Sequence, residues 1–231
     1  MKLKPILTSA TLAFGIAALS ASVVQAGVIT MSFDTINDGE LVNNYYNGGL
    51  ASGGSGPGPN YGVTFANAYV LNEFTENEGL LVTPPNSITF LSGSGSIMDV
   101  AAGFTTGFSF NYSTPFYTGA VTVWSGLDAT GTLLATLTLP STPNGQSTPG
   151  CGGHNYCPDV PFGVTFSGTA ESVNFSGTAN YIVYDDITLG SVTPGTSLTP
   201  LPAALPLFAT GLGALGLLGW RRKRRAAAIA A

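Results

Sequence analysis

Between Gly27 and Thr199 the chain has no lysine and no arginine. The seven basic residues of the 231-residue sequence all lie at its ends, as Lys2, Lys4, Arg221, Arg222, Lys223, Arg224 and Arg225. The twelve Asp and Glu residues all lie between Asp34 and Asp186, so the span 27–199 carries a formal charge of −12 where the whole chain sums to −5. A body without cations cannot neutralise phosphates, which excludes nucleic acid as a partner. It can form no Lys or Arg ion pair either. Its carboxylates must therefore be met by water, by backbone N–H groups or by a metal cation.

Histidine is almost as scarce. His154 is the only one, and a Ser-His-Asp or Cys-His hydrolase would have to use it. It lies in the Gly-rich run Cys151-Gly152-Gly153-His154-Asn155-Tyr156-Cys157, and no G-x-S-x-G elbow occurs anywhere in the chain. Glu73, Glu76 and Glu78 sit among Asn72, Thr75, Asn77 and Gly79, the composition of an exposed loop. Glycoside hydrolysis needs two carboxyls about 5–9 Å apart in a cleft, and nothing in the spacing singles out such a pair. A non-enzyme is expected, with glycoside hydrolysis the least favoured function.

Cys151 and Cys157 are the only cysteines. So close a pair in an exported chain is expected to form a disulfide that closes a loop. The alternative, a metal site of Cys151, His154 and Cys157, lacks the fourth ligand and usual spacings of zinc.

Long runs of 3.6-residue apolar period are also missing outside the termini. Short runs bounded by Gly, Pro, Asn and Ser predict strands instead: Val28–Phe33, Val63–Phe65, Ala68–Leu71, Ser87–Leu91, Phe104–Tyr112, Ala120–Trp124, Leu133–Leu139, Val164–Phe166, Ser172–Phe175 and Tyr181–Leu189. Many short strands without intervening helices predict an all-β body over 27–195, a β-sandwich or jelly roll of about 170 residues. Val164-Thr165-Phe166-Ser167-Gly168-Thr169-Ala170 recurs as Val173-Asn174-Phe175-Ser176-Gly177-Thr178-Ala179, which predicts consecutive strands in a hairpin.

The termini carry the strongest signals. Lys2 and Lys4 precede an apolar run that ends at Val24-Gln25-Ala26, the pattern of a signal peptide over 1–26, read by the Sec pathway and removed by signal peptidase after Ala26. At the other end, Thr199-Pro200-Leu201-Pro202-Ala203 opens an apolar stretch, 203–220, that is long enough for one transmembrane helix of about 27 Å. The cluster Arg221-Arg222-Lys223-Arg224-Arg225 follows and orients the span with its basic end cytoplasmic. Gly211-Leu212-Gly213-Ala214-Leu215-Gly216 spells G-x-G-x-x-G inside this stretch, but no βαβ unit surrounds it, so the glycines read as small residues of an apolar helix.

In motif, span and basic cluster, residues 196–231 resemble the PEP-CTERM sorting signals of Gram-negative bacteria, closest to the subtype whose motif reads V-P-L-P-A, with Thr199 where valine would be usual. The resemblance implies an inner-membrane-anchored precursor, processing by an exosortase, and delivery to a cell surface or matrix rich in exopolysaccharide, as in a biofilm. The stretch from Asn60 to Gly190 is similar to bodies found ahead of such tails, which brings no activity with it. Ile29–Gly39 and Tyr181–Leu189 resemble the first and last strands of carbohydrate-binding jelly rolls.

Two kinds of candidate binding residue remain. Asp34, Asp38 and Glu40 follow the first strand, and Asp185-Asp186 lie in the last. If those strands are neighbours, a structural Ca²⁺ held by Asp34 or Asp38 together with Asp186 is one reading, and solvated carboxylates the other. The rings available for sugar stacking are Tyr45, Tyr46, Tyr61, Tyr69, Tyr112, Tyr117, Tyr156 and Trp124. Tyr45-Tyr46, in an Asn/Gly loop, is expected at the surface, and Trp124, at the end of an apolar strand, in the core. The function expected is that of a non-enzymatic exported surface or matrix protein; the alternative is an exopolysaccharide-binding jelly-roll module.

Overall fold

The computed structural model describes residues 27–72 and 85–195. The expected signal peptide, Glu73, Glu76, Glu78 and the whole of the expected sorting tail, with its motif 199–203, span 203–220 and basic cluster 221–225, lie outside the described residues.

Within them the protein is all-β, with two antiparallel sheets and no α-helix. The strands are β1 Ile29–Met31, β2 Val63–Ala66, β3 Tyr69–Asn72, β4 Asn86–Thr89, β5 Gly95–Phe104, β6 Gly107–Ser113, β7 Gly119–Gly126, β8 Thr130–Leu139, β9 Val160–Thr165, β10 Ala170–Ser176 and β11 Val183–Leu189. One sheet runs β3-β4-β11-β6-β9, with β1 also pairing β11; the other runs β2-β5-β10-β7-β8. The chain crosses repeatedly between the layers, so each hydrophobic face is completed by residues distant in sequence.

Alternation within strands builds the core. Met98 and Val100 of β5, Val121 and Val123 of β7, and Val173 and Phe175 of β10 are buried, with Val173 paired to both Met98 and Val123. Facing them, Phe108, Phe110 and Tyr112 of β6 and Tyr184 of β11 form edge-to-face contacts, such as Phe175–Tyr184 at 4.9 Å and Phe110–Tyr184 at 5.5 Å. Such aromatic pairs contribute about 0.5–1.5 kcal/mol each beyond their burial.

The opposite face of the first sheet is also buried but polar, carrying Ser109, Asn111, Ser113, Asp185 and Thr188. Residues 191–195 lie over part of it, where the Gly195 N–H donates to Thr188 Oγ1 at 3.1 Å. The lateral edges β2 and β3 are closed by one segment. Gly39 N donates to Val70 O, Val42 N to Ala68 O, and Phe65 N to Asn43 O, at 2.9–3.0 Å. At the other side β9 carries Pro161, whereas β8 pairs with β7 alone.

Four expectations are corrected. The repeated segments are consecutive strands but no hairpin: β9 pairs β6 in one sheet, and β10 lies between β5 and β7 in the other. The run Phe104–Tyr112 is divided, because Thr105-Thr106 carries the chain across the layers with Thr106 at φ 75°. Tyr46 is buried against Phe33 and Phe65, and Tyr45 against Tyr46, instead of standing at the surface. Trp124 lies outside the core: Val121 and Val123 take the inward positions, and the half-buried Trp124 shares the outward face with Thr122, bonding its Oγ1 at 2.9 Å.

Candidate functional site

Four aromatic rings meet at one end of the sandwich. Phe116 and Tyr117 come from the β6–β7 loop, Tyr156 from the loop closed by Cys151 and Cys157, and Tyr181 from the β10–β11 loop. Tyr117 stands 4.7 Å from Tyr181, Tyr181 6.1 Å from Phe116, and Phe116 6.1 Å from Tyr156, each pair edge to face. Phe116, Tyr117 and Tyr181 are 47, 46 and 38 % exposed, a concentration of apolar surface that the core does not use. Exposed patches of this kind mark interaction sites more often than scattered single residues do.

The loops that carry these rings are tied together. The buried Thr114 hydroxyl, just past β6, has the carbonyls of both Tyr117 (2.8 Å) and Tyr181 (3.0 Å) within reach of its single proton. Thr142 fixes Thr114 in turn: their backbones bond N to O at 3.0 Å, and the Thr114 N–H also reaches Thr142 Oγ1 at 3.0 Å. The Tyr156 hydroxyl donates to Asn180 O at 3.3 Å. The disulfide loop packs around Gly145, where a Cβ would strike the carbonyl oxygens of His154 and Cys157. The rings are thus held in place before any ligand arrives, which lowers the ordering cost of binding.

Cys151 and Cys157 form the expected disulfide. Their sulfurs are bonded to each other and so do not act as thiolates, which removes the Cys-His-Cys metal alternative.

A second locus lies where β1 meets β11. The two strands pair with Met31 opposite Ile187, and a bulge between Asp185 and Thr188 places Asp186 at φ 49°. Asp34, just beyond β1, is half-buried. Burial raises its carboxyl above the usual 3.8. Hydrogen bonds from the Ser32 side chain and the Asn86 N–H act in the opposite direction, and the charge of Asp186 raises it further. Asp186 Oδ2 accepts from Asn111 Nδ2 at 2.9 Å, and Asp185 Oδ1 accepts from the Asp186 N–H at 2.7 Å. Asp34 and Asp186 are therefore brought within electrostatic reach. Asp38 is engaged at the end of β3, where it accepts from the Asn72 N–H at 3.0 Å. Among the described residues no three His, Cys, Asp or Glu side chains are grouped to hold a metal ion. Glu40 serves the loop: burial pushes its carboxyl up, but hydrogen bonds from Asn37, Ser55 and Gly53 outweigh that and hold it below the ordinary value.

The cleft between the sheet ends is apolar, lined by Val28, Ile29, Tyr61, Val100, Phe104 and Leu189, with no carboxylate or histidine. Of the rings named from sequence, Tyr117 and Tyr156 belong to the patch. Phe116 and Tyr181 were missed, because only the convergence of three loops joins them.

No protein-family model matches the chain, and no curated protein does. Among solved structures it is similar to the K2 cleaved adhesin domain of Lys-gingipain, with a TM-score of 0.45 and 13 % identity, over 71 % of this chain and 98 % of that one. It is also similar to a family 43 arabinoxylan arabinofuranohydrolase from Bacillus subtilis in complex with cellotetraose, at TM-score 0.35, 22 % identity, and 56 % and 26 % coverage. A third likeness is to the C-terminal CBM6 of LamC, a marine laminarinase from Zobellia galactanivorans, at TM-score 0.34, 14 % identity, and 55 % and 90 % coverage. All three scores lie below 0.5, and the site assignment rests on the residues of this chain.

Proposed function

We propose that this chain is an exported, non-enzymatic surface module that binds carbohydrate through Phe116, Tyr117, Tyr156 and Tyr181. The observation that carries the reading is the exposure of these contacting rings on loops fixed from beneath by Thr114. Sugar rings present flat C–H faces to aromatic side chains and hydroxyls to the polar rim, and tyrosine answers both. A purely structural matrix role would not need this much apolar surface left open, so the patch favours the carbohydrate-binding alternative. In the full-length chain, Phe116→Ala or Tyr181→Ala should weaken binding to a soluble polysaccharide by about tenfold or more while the melting temperature holds. Unchanged binding in both variants sinks the assignment.

The disulfide supports an oxidising, extracellular destination. The route belongs to the same proposal: a Sec signal peptide cut after Ala26, and a PEP-CTERM-like tail that holds the precursor in the inner membrane until an exosortase acts at Thr199 to Ala203. Replacing Pro202 and Ala203 should leave an unprocessed, membrane-held form; normal processing contradicts the sorting role.

A structural Ca²⁺ at Asp34 and Asp186 completes the reading. Oxygen donors suit calcium, and two neighbouring carboxylates in a body without lysine or arginine have few other counter-charges. Calcium should raise the melting temperature, and a chelator should reverse the shift; indifference to both removes the ion from the account.

A further inference from the structure

The ligand class can be narrowed by charge, on the footing that the patch is a carbohydrate site. We propose that this site takes neutral polysaccharide chains and that the protein excludes glycans bearing carboxylate, sulfate or phosphate groups.

Three features converge on this. The patch is built from Phe116, Tyr117, Tyr156 and Tyr181, with no Lys or Arg among them. Anionic sugars are recognised through paired, charge-assisted hydrogen bonds, for which arginine and lysine are the donors of choice. The described residues contain neither. The one other basic side chain, His154, lies in the disulfide loop with its Nδ1 buried and lacking a hydrogen-bond partner among the described residues, so it does not present that atom as a donor to a ligand.

The second feature is the field of the whole body. Twelve carboxylates without a compensating Lys or Arg between residues 27 and 199 give the body a formal charge of −12. At low salt, where screening reaches beyond the roughly 10 Å of 0.1 M, that net charge disfavours the approach of a polyuronate chain and leaves a neutral glucan or mannan unaffected.

The third is shape. The rings form a train, Tyr117–Tyr181–Phe116–Tyr156, with links of 4.7, 6.1 and 6.1 Å. Four linked rings offer contacts to more than one sugar of a chain, so affinity should rise from monosaccharide to oligosaccharide. The recurring apolar faces come from pyranoses with equatorial hydroxyls.

The test compares a neutral β-glucan, a neutral galactomannan, alginate and polygalacturonate. Each is titrated onto the full-length chain in a polyoxyethylene detergent, at low salt and with a chelator present. The quantity read is the binding lost in the Phe116→Ala/Tyr181→Ala double variant, which discounts attachment through the basic residues at 221–225. The expected result is patch-dependent binding of a neutral chain at least tenfold tighter than of either polyuronate, with the gap narrowing as salt rises. Equal patch-dependent binding of neutral and acidic chains overturns the charge rule and leaves the carbohydrate site standing. Binding of the acidic chains alone also overturns it. If no polysaccharide shows a patch-dependent component, while the double variant instead alters self-association of the protein, the carbohydrate reading itself falls and the charge rule with it.

Discussion

At the scale of single residues, Asp34 joins electrostatics to stability. Its carboxyl titrates higher in the folded chain than in the unfolded one, so its ionised form costs stability at neutral pH. That cost fades as the pH falls through the raised value toward 3.8. A bound calcium ion reverses the sign, because protonation then removes a ligand. The melting-temperature difference between the native chain and Asp34→Asn should therefore move in favour of the native chain on acidification with a chelator, and against it with calcium. The same trend under both conditions contradicts a calcium ligand at Asp34. Tyr184 offers a second residue-scale test. Its hydroxyl is buried without a hydrogen-bond partner among the described residues, and burial drives its pKa upward. Tyr184→Phe keeps the ring contacts with Phe110 and Phe175 and removes an unsatisfied polar atom. Denaturant unfolding should show stability unchanged or raised by about 1 kcal/mol, whereas a loss of that size would mean the hydroxyl has a partner in solution.

At the scale of elements, much of the strand pattern was legible because period-two alternation survives in β6, β7 and β10. The misreadings have local causes. β5 opens within Ser92-Gly93-Ser94-Gly95-Ser96, which has the composition of a loop, and ahead of Phe104 its only buried apolar side chains, Met98 and Val100, are too few to announce a strand. The crossing at Thr105-Thr106 uses a β-branched residue at positive φ in place of the glycine that marks most such turns. Neighbouring repeats enter different sheets because partner choice is decided by the whole topology. The disulfide loop is an element with a double role. Reduction should cost about 2 kcal/mol of stability, the chain-entropy value for so short a loop. It should also weaken glycan binding by releasing Tyr156; full binding after complete reduction would show that Tyr156 is dispensable. Among the described residues strand β8 is an open edge: Thr130–Leu139 has no charge and no proline, and Leu133 is 47 % exposed. Leu133→Lys should reduce light scattering during refolding at little cost in melting temperature, since edge charges block strand addition.

At the scale of the molecule, the separation of charge organises the account. Basic residues are confined to the two terminal segments, which the proposal assigns to export and membrane orientation, and the span 27–199 between them carries acidic residues only. That much was visible in the sequence, as was the class of fold. The aromatic patch was only half visible, because Phe116 and Tyr181 carry no local signal and acquire meaning when three loops meet above Thr114. The pairing of β1 with β11 brings Asp34 to Asp186, a proximity the spacing allowed but did not require, while Asp38 is drawn to the end of β3. The central claim is that the four-ring patch is where a polysaccharide binds. Ring-proton and ring-carbon NMR shifts followed while a neutral oligosaccharide is added test it most directly. The account predicts saturable shifts at Phe116, Tyr117, Tyr156 and Tyr181, with Trp124 and Tyr61 unmoved; shifts centred on Trp124 or Tyr61, or none at any ring, contradict it.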